Sequence, residues 1–299
     1  MKTGFVGIIG RPNVGKSTLL NAILGEKIAI TTEKPQTTRN AIRGIYTHYS
    51  DDKLPEDLQM IFIDTPGIHR PRTKLGSYMT DAAIGTFKEV DAIVYIVDDR
   101  LSEGPGDKYI VDLLDDIVTP KILVINKIDK LQPDEFAEIY KEYEELGLFE
   151  EIIGVSAKEG THVENVIREV SQFMEEGPMY FPDDMITEHP ERFVVSEIIR
   201  EKILMYLQDE VPHGVAVEIE QYKEEEKITK IHAVIYCEKK SHKGMIIGKG
   251  GRKLKGIGKS AREEIEALLG TKVYLELWVK VKENWRDSDI ALSNFGYKE

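Results

Sequence analysis

Residues 10–17 read GRPNVGKS and follow the apolar run FVGIIG (5–10); an amphipathic stretch at 15–24 comes next. The pattern is G-x-x-x-x-G-K-S/T, set between a strand and a helix. Gly10 and Gly15 let successive backbone N–H groups turn into one concavity, and the helix that starts there adds its positive end. Arg11, Pro12, Asn13 and Val14 build the loop, and Thr18 continues into the helix. Lys16 is placed to reach the β- and γ-phosphates of a nucleotide, and the Ser17 hydroxyl to ligate Mg²⁺. This stretch predicts a phosphate cradle and sets the fold class as α/β.

The runs MIFIDTPG, AIVYIVDD, KILVINKID and EIIGVSA look like further buried strands that end in polar or glycine residues. Helical patterns at 76–89, 107–117, 133–146 and 163–175 lie between or after them. Such alternation predicts βαβ units: a mostly parallel sheet with helices on both faces and right-handed crossovers. Residues 41–49 and 58–63 suggest an antiparallel edge pair joined by the turn-forming SDDKLPED. The expected first domain is 1–176.

A phosphate cradle does not choose the base; Asn126-Lys127-Ile128-Asp129 does. A carboxylate at Asp129 accepts hydrogen bonds from guanine N1–H and its 2-amino group, where adenine has no donors. Sites that hydrogen-bond a substrate group reject analogues lacking it by roughly 10⁴–10⁵. Lys127 is expected over the purine face, with Asn126 bracing the loop. In Ser156-Ala157-Lys158 a backbone N–H is expected to meet guanine O6. Asp64-Thr65-Pro66-Gly67 ends a strand: Asp64 holds Mg²⁺ through water and the Gly67 N–H senses the γ-phosphate. TTEKPQTTRN (31–40) supplies the second Mg²⁺ hydroxyl, assigned to Thr38 in preference to Thr37. Lys16, Thr38 and Gly67 are thus the expected reactive set, with Ser17, Thr38 and Asp64 around the metal. Contacts made only while a γ-phosphate is present predict a switch.

Together GRPNVGKST, KPQTTR, DTPG, NKID and SAK resemble the Era branch (Era/TrmE/EngA) of bacterial GTPases. The resemblance implies Mg²⁺-dependent hydrolysis of GTP to GDP and phosphate. Where Ras-type enzymes orient water with a glutamine, this chain has Ile68, so no side-chain base is expected and the intrinsic rate should be slow. In related GTPases an asparagine at the Asn13 position helps bind K⁺, which makes K⁺ a candidate cofactor. A small-molecule kinase is the competing reading of the cradle, and NKID argues against it.

The 299 residues carry a net charge of -13, unevenly spread. Residues 1–180 hold 20 basic and 31 acidic side chains, whereas 181–299 hold 20 and 22. Within the second part, 239–262 contains nine Lys or Arg and no Asp or Glu, enough to attract a polyanion locally. GPMYFPDDMITEHPE (177–191) is expected as an ordered linker docked through Met179, Tyr180 and Phe181. Residues 192–282 then read as αββααβ, with the basic loop Gly248-Lys249-Gly250-Gly251 between two helices. That arrangement resembles a type II KH domain, whose G-x-x-G loop clamps about four nucleotides of single-stranded backbone. Lys243, Lys249, Arg252 and Lys253 are expected at phosphates, with Ile246 and Ile247 as the floor beside the bases. The tail, 283–299, is expected to cap the domain or to stack on RNA; the two remain open.

With both domains in this order, the resemblance implies a GTP-switched factor that binds 16S ribosomal RNA near its 3′ end and assists small (30S) subunit maturation. DNA is not expected as a partner, and a monomer is. Cys237 is the only cysteine, which suits a reducing cytoplasm. No leader is expected before the first strand, and no apolar run approaches the ~20 residues of a membrane span. A peripheral place on the inner membrane face comes from the resemblance alone.

Overall fold

The computed structural model describes residues 1–299 apart from 33, 35, 36, 70, 72, 103–104, 208–211 and 298–299. It divides into two units: residues 1–72 with 79–188, and residues 73–78 with 189–299.

The first unit is built on β1 (Lys2–Gly10), β2 (Ile42–His48), β3 (Leu58–Asp64), β4 (Ala92–Val97), β5 (Lys121–Ile125) and β6 (Glu151–Gly154). Their order is β2-β3-β1-β4-β5-β6, parallel except for the expected antiparallel β2–β3 pair at the edge. Every residue of β3, β4 and β5 is buried, which is what uninterrupted apolar runs require when helices cover both faces. The helices are α1 (Lys16–Leu24), α2 (Lys74–Thr86, of which residues 79–86 fall in this unit), α3 (Pro105–Asp115), α4 (Pro133–Glu144) and α5 (Val163–Ser171). α5 shows why they dock: Val163, Val166, Ile167 and Val170 are buried at helical spacing on one face. At the start of α4 the Glu135 carboxylate accepts the Gln132 N–H at 2.8 Å, with Pro133 pre-set for the first turn. α5 stops earlier than its sequence pattern, and β7 (Glu175–Glu176) follows, antiparallel to β1.

The stretch expected as a linker belongs mostly to this unit, up to Glu188. It is ordered, and the Tyr180 ring, though half exposed, packs on Phe5 with centroids 5.4 Å apart; Met179 is exposed, and its docking is the correction. The backbone is held as well: buried Gln59 accepts the N–H groups of Tyr180 and Phe181 at 2.7 and 3.0 Å and donates to the Phe181 carbonyl at 2.9 Å. Further on, the Ile45 N–H donates to the Ile186 carbonyl at 2.7 Å, extending the sheet past β2.

In the second unit α6 (Glu191–Tyr206), β8 (Val215–Glu225), β9 (Ile228–Cys237), α7 (Lys240–Ile247), α8 (Arg252–Leu269) and β10 (Lys272–Val281) give the αββααβ order. β9 is central, antiparallel to β8 and parallel to β10. One face of this sheet and the helices enclose a core that includes Ile199, Ile235, Cys237, Ile257 and Ile265. The tail is part of this body. Trp285 is fully buried and its indole N–H donates to the Gly214 carbonyl at 2.9 Å; Leu292 and Tyr297 are buried beside α9 (Asp289–Asn294).

Candidate nucleotide site and candidate nucleic-acid interface

The loop between β1 and α1 borders a cleft of about 370 Å³. Gly15 has φ 106°, and a Cβ there would lie 2.1 Å from Asn126 Nδ2, so only glycine lets the two loops meet. Asn126 Nδ2 donates to the Val14 carbonyl at 2.7 Å, and its Oδ1 accepts the Ala157 N–H at 3.0 Å. One amide thus laces together the phosphate loop, NKID and SAK. That Ala157 N–H, an expected donor to guanine O6, is engaged by Asn126 here.

Lys16 curls over the loop, its Nζ donating to the carbonyls of Arg11 and Gly10 at 2.9 and 3.3 Å. Burial lowers its pKa to about 8, against the opposing pull of Asp64 and Asp98. Nearby, Ser17 Oγ donates to Asp64 Oδ2 at 2.6 Å, Thr38 Oγ1 lies 3.2 Å from the same oxygen, and the two hydroxyls are 2.8 Å apart. All three residues are buried, and Asp64 Oδ1 has no hydrogen-bond partner. Burial raises the Asp64 pKa, while Lys16 and the two hydroxyls oppose this. Two hydroxyls converging on a buried carboxylate with an orphaned oxygen suit a hard divalent cation, so these residues fit Mg²⁺. Thr37 turns elsewhere, to Thr32 Oγ1 and the Lys34 carbonyl at 2.6 Å each. Pro35 and Gln36 of the KPQTTR motif lie outside the described residues.

On the base side, Ser156 Oγ donates to Asp129 Oδ1 at 2.6 Å, and this bond chiefly holds the Asp129 carboxyl below its usual range. Asp129 is therefore ionised and oriented. Lys127 sits in the left-handed region with φ 65°, its Nζ bonded to the Asn13 carbonyl at 2.8 Å. Pro12, Asn13, Gly15, Lys16, Thr38, Gly67, Asn126, Lys127, Asp129 and Lys158 face the cleft, as does Thr18. Val14, Thr65, Pro66 and Ile68 are instead buried beside it. Thr65 Oγ1 donates to the Ile8 carbonyl at 2.8 Å, and Ile68 packs in the core, which removes it from any part in proton transfer. Ile128 spends its N–H on the Val155 carbonyl at 3.2 Å and is also off the cleft. Ile30, Thr31, Thr32, Thr37 and Lys130 line the cleft without having been expected. Their motif neighbours were the available signal, but which of them face inward depends on the fold of segment 31–40.

In the second unit Gly248, Gly250 and Gly251 take φ of 71°, 61° and 74°, so the chain between α7 and α8 turns where side chains with a Cβ would be strained. Lys249, Arg252 and Lys253 are exposed, and among the described residues none of the three pairs with a carboxylate. Lys243 is partly buried. Ile246 corrects the sequence expectation: it is fully buried in the core and supports the loop from within. Ile247 is partly buried against that core, and exposed Met245 takes the outer position.

A family model described as 50S ribosome-binding GTPase matches residues 5–127, and one described as KH domain matches 210–286. GTPase Era of Alkaliphilus oremlandii (strain OhILAs) is 60% identical over 298 residues, which covers 99% of each chain. This chain belongs to the GTPase Era family. GTPase Era of Clostridioides difficile (strain 630) is 56% identical over 301 residues. A crystal structure of Era with MgGDPNP and nucleotides 1506–1542 of 16S ribosomal RNA is similar at TM-score 0.93 and 39% identity, over all of both chains. A variant of Aquifex aeolicus Era bound to GDP·AlF4⁻ is similar at TM-score 0.92 and 38% identity, again over all of both chains. As an Era-family protein the chain is a P-loop GTPase with a KH domain after it, and the expected fold class holds. Among the described residues no helix is long and apolar enough to cross a membrane.

Proposed function

We propose that the chain binds single-stranded 16S ribosomal RNA near its 3′ end through the second unit, under control of GTP in the first, and so assists maturation of the small ribosomal subunit. The observation that carries the switch is the meeting of Thr38 with Ser17 and Asp64. A residue of the segment 31–40 shares a carboxylate with the phosphate loop, so what occupies the cleft sets the state of that segment. Support for the RNA comes from the exposed cations around the glycine loop, which pair with no carboxylate among the described residues, and from the RNA held by the Era relative. That relative carries small-subunit RNA, whereas the description of the GTPase family model names the 50S particle. The full-length likeness, which includes the KH domain, outweighs a description matching residues 5–127 alone.

In this reading Asp129 accepts from the guanine edge and Lys127 covers the base. Lys16 leaves the Gly10 and Arg11 carbonyls to neutralise the phosphates, and the Gly67 N–H reports the γ-phosphate. Ser17, Thr38 and Asp64 hold Mg²⁺, which supplies charge neutralisation on the phosphates when bound. With Ile68 buried, no side chain there activates water and the rate depends on positioning and charge. K⁺ beside Asn13 is the candidate for the remaining charge; turnover that is equal in K⁺ and Na⁺ buffers would remove it. We place the protein in the cytoplasm as a monomer, with peripheral membrane attachment resting on family likeness alone.

The decisive measurement is fluorescence anisotropy of a labelled 16S 3′-terminal RNA with the full chain, in GDP and in GDPNP. The expected result is state-dependent affinity that disappears with a scrambled RNA. Equal affinity in both states sinks the switch, and equal affinity for the scrambled RNA sinks the sequence preference.

A further inference from the structure

Asp98 follows β4 and stands between the two nucleotide loops. Its Oδ2 accepts from Lys127 Nζ at 2.5 Å, and its Oδ1 faces an Arg11 guanidinium nitrogen at 3.3 Å. The same Lys127 Nζ donates to the Asn13 carbonyl, so its ammonium is held from the phosphate loop and from the carboxylate together. Arg11 is gripped in turn by α3. Its Nε lies 2.5 Å from Asp107 Oδ2, a close ion pair out of hydrogen-bond alignment, and a Cβ on Gly106 would come within 2.8 Å of Arg11 Cδ. Asp107 is fully buried, and its other oxygen accepts from the Tyr95 hydroxyl at 2.8 Å. A line of charge-assisted contacts therefore runs from the sheet interior through Arg11 and Asp98 to Lys127.

In this line Arg11 and Lys127 belong to the sequence motifs that read a nucleotide; Asp98 and Asp107 lie in none of them. A lysine stem covers a base well only if its flexible chain is already extended and pinned beyond the ring, because ordering it on binding costs affinity. We propose that Asp98 is a positioning residue for the nucleoside: it pins Lys127 across the base plane and, through Arg11, ties the base-reading loop to the phosphate loop. This rests on the guanine-nucleotide reading of the cleft. The expected consequence of its loss is faster release of GDP and of GTP by one common factor, with base selectivity unchanged, because Asp129 reads the 2-amino group and Asp98 does not.

The test is stopped-flow release of a fluorescent GDP and a fluorescent GDPNP from the full chain, for wild type, Asp98→Asn, Asp98→Glu, Lys127→Met and the Asp98→Asn/Lys127→Met pair. Loss of one charge-assisted bond predicts release about tenfold faster in Asp98→Asn for both nucleotides. Asp98→Glu should stay within about threefold of wild type, since the charge remains. In the Lys127→Met background Asp98→Asn should accelerate release by clearly less than it does in wild type, since only the link to Arg11 is left to lose, the non-additivity expected of groups acting through one another. An unchanged rate in Asp98→Asn overturns the proposal, and so does an equal, additive acceleration in the Lys127→Met background, the mark of a merely structural role. Wild-type protein that retained no guanine nucleotide would instead overturn the underlying reading of the cleft.

Discussion

The Thr38 hydroxyl lies 2.8 Å from the Ser17 hydroxyl although the two are 21 positions apart in the chain, and both point at one oxygen of Asp64. The start of α1, the end of β3 and the stretch before β2 meet at a single carboxylate. The other oxygen of that carboxylate is buried without a hydrogen-bond partner, which suits it to a cation or a cation's water.

Removing the Thr38 hydroxyl should therefore separate turnover from GDP binding. Thr38→Val is expected to lower GTP turnover by about 10–100-fold, the usual range when a group around a metal is lost, with GDP affinity nearly intact. Thr37→Val, whose hydroxyl serves Thr32 and Lys34, should stay within about twofold. Phosphate-release kinetics on both variants check this, and equal losses would refute the assignment.

Lys16 predicts a pH dependence with a definite sign. Its pKa falls from 10.5 to about 8 in the nucleotide-free fold, so above pH 8 this amine is neutral before the nucleotide arrives and must take up a proton to pair with phosphate. GDP affinity should then fall by about tenfold per pH unit above about pH 8 and be flat below it. For folding the sign is opposite. The unfolded chain holds the proton longer, so this group raises nucleotide-free stability as pH climbs from about 8 toward 10.5. Isothermal calorimetry in buffers of different ionisation enthalpy checks the uptake. Lys16→Arg controls for ionisation of the guanine itself and should lose the uptake that begins near pH 8.

Asp129 should be convertible. Ser156 holds its Oδ1, so Asp129→Asn puts an amide N–H, a donor, where a carboxylate oxygen accepted from the guanine 2-amino group. GTP affinity is expected to drop by at least about 10³-fold and XTP, which carries a carbonyl acceptor in place of that amino group, to become the better ligand. Competition between the two triphosphates reads the outcome directly.

For the second unit, Lys249→Ala and Lys253→Ala should weaken RNA binding without altering GTP turnover. If each cation neutralises one phosphate, the slope of log affinity against log salt should fall by about 0.7 per substitution. An unchanged slope would place the RNA elsewhere.

Trp285 tests the tail. Truncation to Ala at this fully buried indole should cost about 3–5 kcal/mol and melt the second unit early, while GDP binding by the first persists. Thermal unfolding followed by far-UV circular dichroism, with and without GDP, distinguishes the two. A small effect would mean that the tail is dispensable to this core.

The phosphate loop, NKID and the G-K-G-G turn could be read directly because each is a contiguous run whose own backbone and side chains supply the chemistry. The fold class followed for a similar reason, since fully buried parallel strands need unbroken apolar runs and their helices need one apolar face. Amino-acid order favoured Thr38 over Thr37, but where each hydroxyl points depends on how segment 31–40 turns against α1 and β3. Nor did it show that Ile246 points inward: adjacent apolar residues on α7 differ by about a quarter turn, and the packing of β9 and α8 chooses between them. The hold of Gln59 on the linker backbone could not be read there, and Asp98 was invisible as a partner of Lys127. Both depend on side chains from distant strand ends that only the finished sheet brings within hydrogen-bond reach.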